Sequence, residues 1–541
     1  MQKDISLSRL DYAFARFLNQ LTEFDSEKGK QFKAIIAGLS YAQSEGHSCI
    51  GLSETEQDLV LASGLADSTG KCPLVVENNN LYLQRYWSYE CQLAKKIVLL
   101  TAGKSSTVSI DNIISQYFPD SSEVDWQKQA AISAVRNSFT IITGGPGTGK
   151  TTTVVKILAL LQEISTQPFN IALAAPTGKA AMRLQESIGQ SKDKLPCTEI
   201  IKQVIPEQVI TLHRLLGARP PSPYFKYNSE NPLPFDIVVV DEVSMIDLPL
   251  MCKLVNALKN DARLILLGDK DQLASVETGT VLADLTLALP AYTQELKKSY
   301  RFSGNIKKFA QAINLQKADE AWDLLNQGDA RLCLLKENLV TYVTDKQLSY
   351  LQLISAEADV ASCFAAFNTF QVLCATRQGE NSVNDINQRV VEKLRERKLI
   401  QNSGEWYSGR PVMVIKNDPV LRLYNGDIGL CMPDAENSGQ LMVYFLLPDG
   451  SIRKYMPARL SNCETVFAMT IHKSQGSEFN EVLLLLPEKM SPVLSKELVY
   501  TGITRAKESL KLLANKAIFQ ETIGRRIKRS SGVANRIIQM M

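Results

Sequence analysis

Residues 144–151 read GGPGTGKT and fit the pattern G-x-x-x-x-G-K-[ST] through Gly144, Gly149, Lys150 and Thr151. The chemistry suits a phosphate chain. Gly144, Gly145, Pro146, Gly147, Thr148 and Gly149 form a loop whose backbone N–H groups can turn inward around an anion. The helical stretch that follows, from Thr151 and Thr152 onward, offers its positive end to the same anion. Lys150 is expected to reach the β- and γ-phosphates of a nucleotide such as ATP, and the Thr151 hydroxyl to ligate Mg²⁺. The competing reading is a chance glycine-rich turn. The setting, between the apolar run FTIIT and a helix, favours the phosphate site.

Such a site needs a carboxylate for the metal. The run IVVV at 237–240 ends in Asp241 and Glu242, which places Asp241 near Mg²⁺ and Glu242 near the attacking water as a general base. A third run, RLILLG at 263–268, leads to Gln272, whose amide can position water and sense the γ-phosphate. Arg301 in LKKSYRF and Arg505 in YTGITRAK are candidates to stabilise charge that builds on the phosphoryl oxygens. Each arginine alone would read as a surface ion pair. Gln127, in DWQKQAAISA, reads either as an adenine contact or as an exposed helix glutamine. No further acidic cluster suits paired metals, so nuclease chemistry is not expected of this chain.

The stretch MTIHKSQGSEF at 469–479 crowds polar chemistry between two apolar runs and holds His472, one of three histidines. It reads as a solvated turn or as a contact for something bearing phosphates.

The elements that must position these residues follow from periodicity. FTIIT, IALAA, IVVV and RLILLG are short continuous apolar runs alternating with helical patterns, which predicts strands buried on both faces of a parallel sheet. A second set follows at 371–375, 466–470, 481–486 and 509–514. Between them, roughly 410–465, NGD, PDG and short alternating runs predict a β-rich insertion. Residues 1 to about 115 look helical, then mixed around CPLVVENNNLYLQ, and 114–125 reads as a linker. Tyr82, Tyr86 and Trp87 fit that domain's own core better than a partner surface. The last twenty residues, with Arg525, Arg526, Lys528 and Arg529, are expected to be mobile, and read equally as a solvated tail or a DNA contact.

Composition sets outer bounds. The 541 residues suggest two to four domains, and 45% hydrophobic with 22% charged residues is ordinary globular composition. The net charge of +3 is too small to require a nucleic-acid partner, though local patches could bind one. Ten cysteines without a C-x-x-C pair suggest reduced thiols. No apolar run approaches the ~18 residues of a membrane span and no signal-peptide core is present, so a soluble cytoplasmic protein is expected.

The order of motifs carries more. Gln127, GGPGTGKT, LAAPTGKAAMRL, TLHRLLG, VVVDEVSM, LLGDKDQLASVETG, KSYRF, NGDIG, MTIHKSQGSEF and VYTGITRAK resemble the motif series of superfamily 1 DNA helicases over about 120–541. The wording is most similar to the RecD family, the alpha subunits of exodeoxyribonuclease V (superfamily 1B). The resemblance implies an ATP- and Mg²⁺-dependent motor moving 5′ to 3′ on single-stranded DNA. It implies an α/β fold of two RecA-like P-loop domains, at 116–335 and 336–541, with an SH3-like insertion at about 410–465 and a small, mostly helical, partner-docking N-terminal domain at 1–115. It implies a heterotrimer with a RecB-like helicase-nuclease and a RecC-like scaffold, working at double-strand breaks in recombination repair, in the bacterial cytoplasm and at the nucleoid. By motif match, Pro176, Thr177, Lys179 and His213 in the first lobe, and Thr470 and His472 in the second, are implied DNA contacts. Gln475 and Gly476 are implied to face the nucleotide, with Glu478 near its ribose. For His213 and His472 a satisfied structural histidine is the alternative. The absence of glycine-bearing helical hairpins in 1–120 favours the complex-forming branch. A stand-alone helicase of the same superfamily, and a structural DNA-binding subunit with vestigial ATPase, remain competing readings.

Overall fold

The four apolar runs of the first half are the strands Phe139–Thr143, Ile171–Ala175, Ile237–Val240 and Arg263–Gly268. The first three are buried along their whole length, because helices cover both faces of the sheet they form. The structure is a computed structural model that describes residues 7–103, 111–119, 124–299, 304–400, 404–447 and 450–541. With Val209–Thr211 and Thr293–Glu295 these strands build a six-stranded, all-parallel sheet. Its order runs from Thr293–Glu295 through Phe139–Thr143, Arg263–Gly268, Ile237–Val240 and Ile171–Ala175 to Val209–Thr211. The helix Lys150–Glu163 buries Val154, Val155, Ile157, Leu158 and Leu161 against one face.

The second lobe repeats the plan. Leu332–Leu334, Ala506–Leu513, Phe479–Leu485, Phe370–Cys374 and Ala468–Thr470 form, in that order, a five-stranded parallel sheet. Between Pro411 and Thr465 an antiparallel five-stranded sheet closes over Val412, Val414, Cys431, Val443 and Phe445. In the first lobe the polar motif loops leave the carboxyl ends of parallel strands, the place where sheets of this kind bind ligands; in the second, Glu478 and Arg505 directly precede the strands Phe479–Leu485 and Ala506–Leu513.

In the N-terminal region Cys49–Gly51, Asn80–Leu83, Leu74–Glu77 and Ala66–Asp67 form a four-stranded sheet, its central strands in the stretch that reads as mixed, beside the capped helices Arg9–Gln20, Ser26–Ser44 and Glu54–Ala62. Packing shifts three expectations for this region and its neighbours. The helix Gln84–Thr101, expected within that domain, instead sends Leu93, Ala94, Ile97 and Leu100 into the first lobe's core. Part of the expected linker is the helix Asp111–Tyr117, and Ile114 and Tyr117 pack on the Lys150–Glu163 helix side. The segment 305–335, expected with the first lobe, packs with the second through Ile306, Phe309, Ile313, Leu324 and Leu332.

The basic C-terminal stretch is a further correction. Charge alone suggested a mobile stretch, either a solvated tail or a DNA contact, but the VANRII that follows it carries an i, i+4 apolar pair. The helix Val533–Met540 packs on Gln84–Thr101 and on Val281–Ala288, burying Val533, Ala534 and Ile537 in the first-lobe core. Arg536, 7% exposed, pairs with Glu77 and with Glu90, which is fully buried. Glu90 also accepts from Ser48 Oγ at 2.6 Å and from the Gly532 N–H at 3.0 Å. A buried charge needs such partners. Ile537→Ala is expected to destabilise the protein by about 2–5 kcal/mol, read from the denaturant midpoint. A mobile tail would tolerate the change without loss.

Candidate active site

The phosphate loop is folded by its own small residues. Gly149 has φ +81°, and a Cβ there would strike the Gln127 amide, so only glycine closes the turn at the helix start. Gln127 Nε2 donates to the Thr148 carbonyl at 3.1 Å, and Thr148 Oγ1 donates to the Gly145 carbonyl at 2.9 Å. Lys150 Nζ donates to the carbonyls of Gly144 and Gly145 at 2.6 and 3.2 Å. The ammonium is therefore held over the loop, where oxygens of a phosphate chain would meet it.

A cleft of about 580 Å³ opens beside this loop, between the lobes. From the first lobe it is lined by Gln127, Pro146, Gly147, Gly149, Lys150, Thr151, Thr152, Asp241, Glu242 and Gln272. From the second it is lined by Gly476, Glu478 and Arg505. Gly144, Gly145 and Thr148, expected at the nucleotide, belong to the same loop and shape it through the hydrogen bonds to Lys150 and between Thr148 and Gly145. Gln475, also expected there, does not line the cleft: its Nε2 donates to the Leu273 carbonyl at 3.4 Å, at the seam between lobes. Arg301 lies outside the described residues.

Asp241 and Glu242 both reach the cleft because the chain bends sharply after Val240. Glu242 takes φ +52°, a left-handed conformation that costs a non-glycine residue on the order of 1–3 kcal/mol, and its N–H donates to Asp241 Oδ1 at 2.8 Å. Burial, then the neighbouring Glu242 charge, raises the Asp241 carboxyl to about 6, against the pull of Lys150. Among the described residues no group of three or more His, Cys, Asp or Glu could hold a metal alone. The donor set of one carboxylate and the Thr151 hydroxyl beside Lys150 fits a magnesium ion that arrives with phosphate oxygens and keeps waters.

Arg505 crosses from the second lobe. It is 2% exposed, and its guanidinium donates to the carbonyls of Thr501 and Ser477 at 3.1 and 3.2 Å and to Gln272 Oε1 at 3.0 Å. Gln272 in turn donates to Asp269 Oδ2 at 3.0 Å, and Tyr500 donates to the same oxygen at 3.2 Å. Burial lifts Asp269 to about 6. Asp269, Tyr500 and Thr501 were missed in the sequence, although GDKDQ and VYTGITR contain them. Arg183, also missed, lines the cleft and forms an ion pair with Glu478 across it.

The implied strand contacts are spread over three parts of the molecule. Thr177 caps the helix Gly178–Lys192, accepting from the Ala180 N–H at 3.2 Å, directly after Pro176. Lys179 faces Asp427 of the insertion, and burial with the nearby Arg183 charge lowers its ammonium to about 8. His213 is exposed, its ring centroid 5.8 Å from that of Phe225 in an edge-on arrangement. Thr470 Oγ1 accepts from the Lys473 N–H at 3.3 Å, and Lys473 Nζ donates to Asn425 of the insertion at 2.6 Å. His472 opens the short turn His472–Ser474 and is half-buried, which lowers its imidazole. The NGD turn of the insertion thus lies against lysines of both lobes.

Residues 127–278 match the family described as AAA domain, and 465–513 the UvrD-like helicase C-terminal domain. Residues 3–69 match the N-terminal domain of the RecBCD enzyme subunit RecD. The chain is 37% identical over 535 residues to the RecBCD enzyme subunit RecD of Haemophilus influenzae, covering 85% of this chain and 80% of that protein. It is 40% identical over 475 residues to the same subunit of Mycobacterium tuberculosis, covering 84% and 80%. The ATP-dependent RecD2 DNA helicase of Deinococcus radiodurans is 34% identical over 68% of this chain, which covers 46% of that protein. With relatives this similar along most of their length, and a first, a middle and a late segment each matched, the chain belongs to the RecD family.

Proposed function

We propose that this chain is the ATP-driven DNA helicase subunit of a RecBCD complex, acting with a RecB-like helicase-nuclease and a RecC-like scaffold in double-strand-break repair and recombination. The observation that carries the reading is the cleft itself. Residues of two like-built lobes line one space, and Arg505 of one lobe is hydrogen-bonded to Gln272 of the other.

On this reading Lys150 neutralises the β- and γ-phosphates of ATP, and Thr151 and Asp241 would hold Mg²⁺, which would supply Lewis-acid charge at the phosphoryl oxygens. Glu242 orients the attacking water and accepts its proton. Gln272 and Arg505, with Arg301 from the same motif series, stabilise the transferring group. Gln127 holds the adenine, while Gly476 and Glu478 close the second-lobe side by the ribose. Nucleotide binds the closed lobes better than the open ones, so hydrolysis lets them part. Pro176, Thr177, Lys179 and His213 grip a strand on one lobe, Thr470 and His472 on the other. Such contacts hold phosphates without reading sequence, as a motor requires. Movement runs 5′ to 3′ by family likeness, and the work is done in the cytoplasm, at the nucleoid.

Lys150→Gln is expected to abolish ATP hydrolysis while leaving the unfolding midpoint unchanged. Turnover at the native rate would remove Lys150 from the site. Asp241 is raised to about 6, so its metal-binding carboxylate form is depleted as pH falls through that value. The KM for MgATP is therefore expected to rise several-fold between about pH 7.5 and about pH 5.5. A flat profile would count against Asp241 as the ligand. With the purified chain, duplexes bearing a 5′ single-stranded tail are expected to be unwound and those with a 3′ tail left intact; the reverse result sinks the assigned direction.

A further inference from the structure

The loop after the sensor glutamine is held from three directions. The second lobe grips its start: the Leu273 N–H donates to Thr501 Oγ1 at 2.9 Å, and its carbonyl takes the Gln475 amide. The N-terminal domain holds its end, where the Gly279 N–H donates to the Gly46 carbonyl at 2.9 Å. Between these, the carbonyls of Ser275, Glu277 and Gly279 converge on one nitrogen of Arg529, at 2.8, 3.1 and 3.1 Å. Three acceptors around one cationic nitrogen are a built seat for a guanidinium.

Arg529 reaches this seat from the second lobe. The segment that carries it leaves that lobe through the Arg525 carbonyl, which accepts from Lys496, and the Ile527 N–H, which donates to Glu497. The next residue, Ser530, donates its N–H to His47 Nδ1 and accepts from the Ser48 N–H, both at 3.0 Å. The guanidinium lies flat on Gly46, where φ is +88° and a Cβ would overlap it. The turn that holds His472 meets the same loop at its start, through the Gln475 amide on the Leu273 carbonyl. Arg529 therefore joins the N-terminal domain to the sensor loop of the first lobe, which the histidine loop of the second lobe also touches.

We propose that Arg529 is a positioning residue for strand-stimulated ATP hydrolysis: it fixes the 273–279 loop so that Gln272 meets Arg505, and links that contact to the His472 loop. It touches neither nucleotide nor reacting atoms, and the proposal rests on the motor reading above. Engagement of a strand at the His472 turn acts on the loop through Gln475, Arg529 braces the loop from the other side, and the loop sets the Gln272–Arg505 contact.

The test uses the full chain and a homopolymeric single-stranded DNA. Arg529→Ala is expected to leave the KM for ATP within about twofold of wild type, to lower unstimulated turnover by less than about threefold through the loosened Gln272–Arg505 contact, and to cut DNA stimulation about tenfold or more. Arg529→Lys, which keeps three donors on a cation, should restore part of the stimulation. Gly46→Ala keeps the arginine but drives a methyl into it, and should lose stimulation too. Wild-type stimulation in Arg529→Ala overturns the proposal. So does an equal fall of basal and stimulated turnover without rescue by lysine, the mark of a purely structural part. If the wild-type chain shows no strand-stimulated turnover, the motor reading fails first and takes this proposal with it.

Discussion

A guanidinium buried at the seam of two lobes must find acceptors, and one of those acceptors belongs to the other lobe. Arg505 has its fixed partners at home, in the carbonyls of Thr501 and Ser477, and one across the gap in Gln272. A hydrogen bond to a charged group contributes on the order of 1.5–3 kcal/mol. Opening the cleft removes the crossing bond and leaves Gln272 with Asp269 alone among its side-chain partners here. That is the scale on which a bound phosphate can shift the lobes, since a few kcal/mol moves a two-state equilibrium across most of its range.

The surrounding structure keeps this contact in register. Parallel strands end at a common edge, so Lys150, Asp241 and Gln272 follow three adjacent strands of one sheet. The second sheet presents Arg505 and Gly476 from the loops flanking Phe479–Leu485 and Ala506–Leu513. The polar stretch between its two apolar runs has several neighbours to serve. Gln475 ties it to the first lobe, Gly476 and Glu478 face the cleft, and Lys473 reaches the insertion. This is why so much charge collects in so short a loop.

Much of this was legible in the sequence, for physical reasons. Strands covered on both faces leave continuous apolar runs, and those runs located both sheets. The phosphate loop announces itself because only glycine tolerates its backbone. What escaped detection depends on contacts far apart in the chain. Nothing local marks Asp269 or Tyr500 as partners of Gln272, or Arg183 as the partner of Glu478. Gln475 looked like a nucleotide contact because its neighbours are at the cleft, yet a single step along the turn aims its side chain at the seam. Arg529 looked like one of four charges on a mobile tail, solvated or touching DNA, because a sequence does not show carbonyls waiting for it.

The docking of Val533–Met540 on Gln84–Thr101 has a consequence for how the chain is made. Leu93 and Ile97 leave the ribosome early, but the side chains that finish covering them, Val533 and Ile537, emerge only after both sheets have been synthesised. Until then a nascent chain carries an open apolar face on its first lobe, the kind of surface that recruits chaperones and that domain-by-domain folding does not hide.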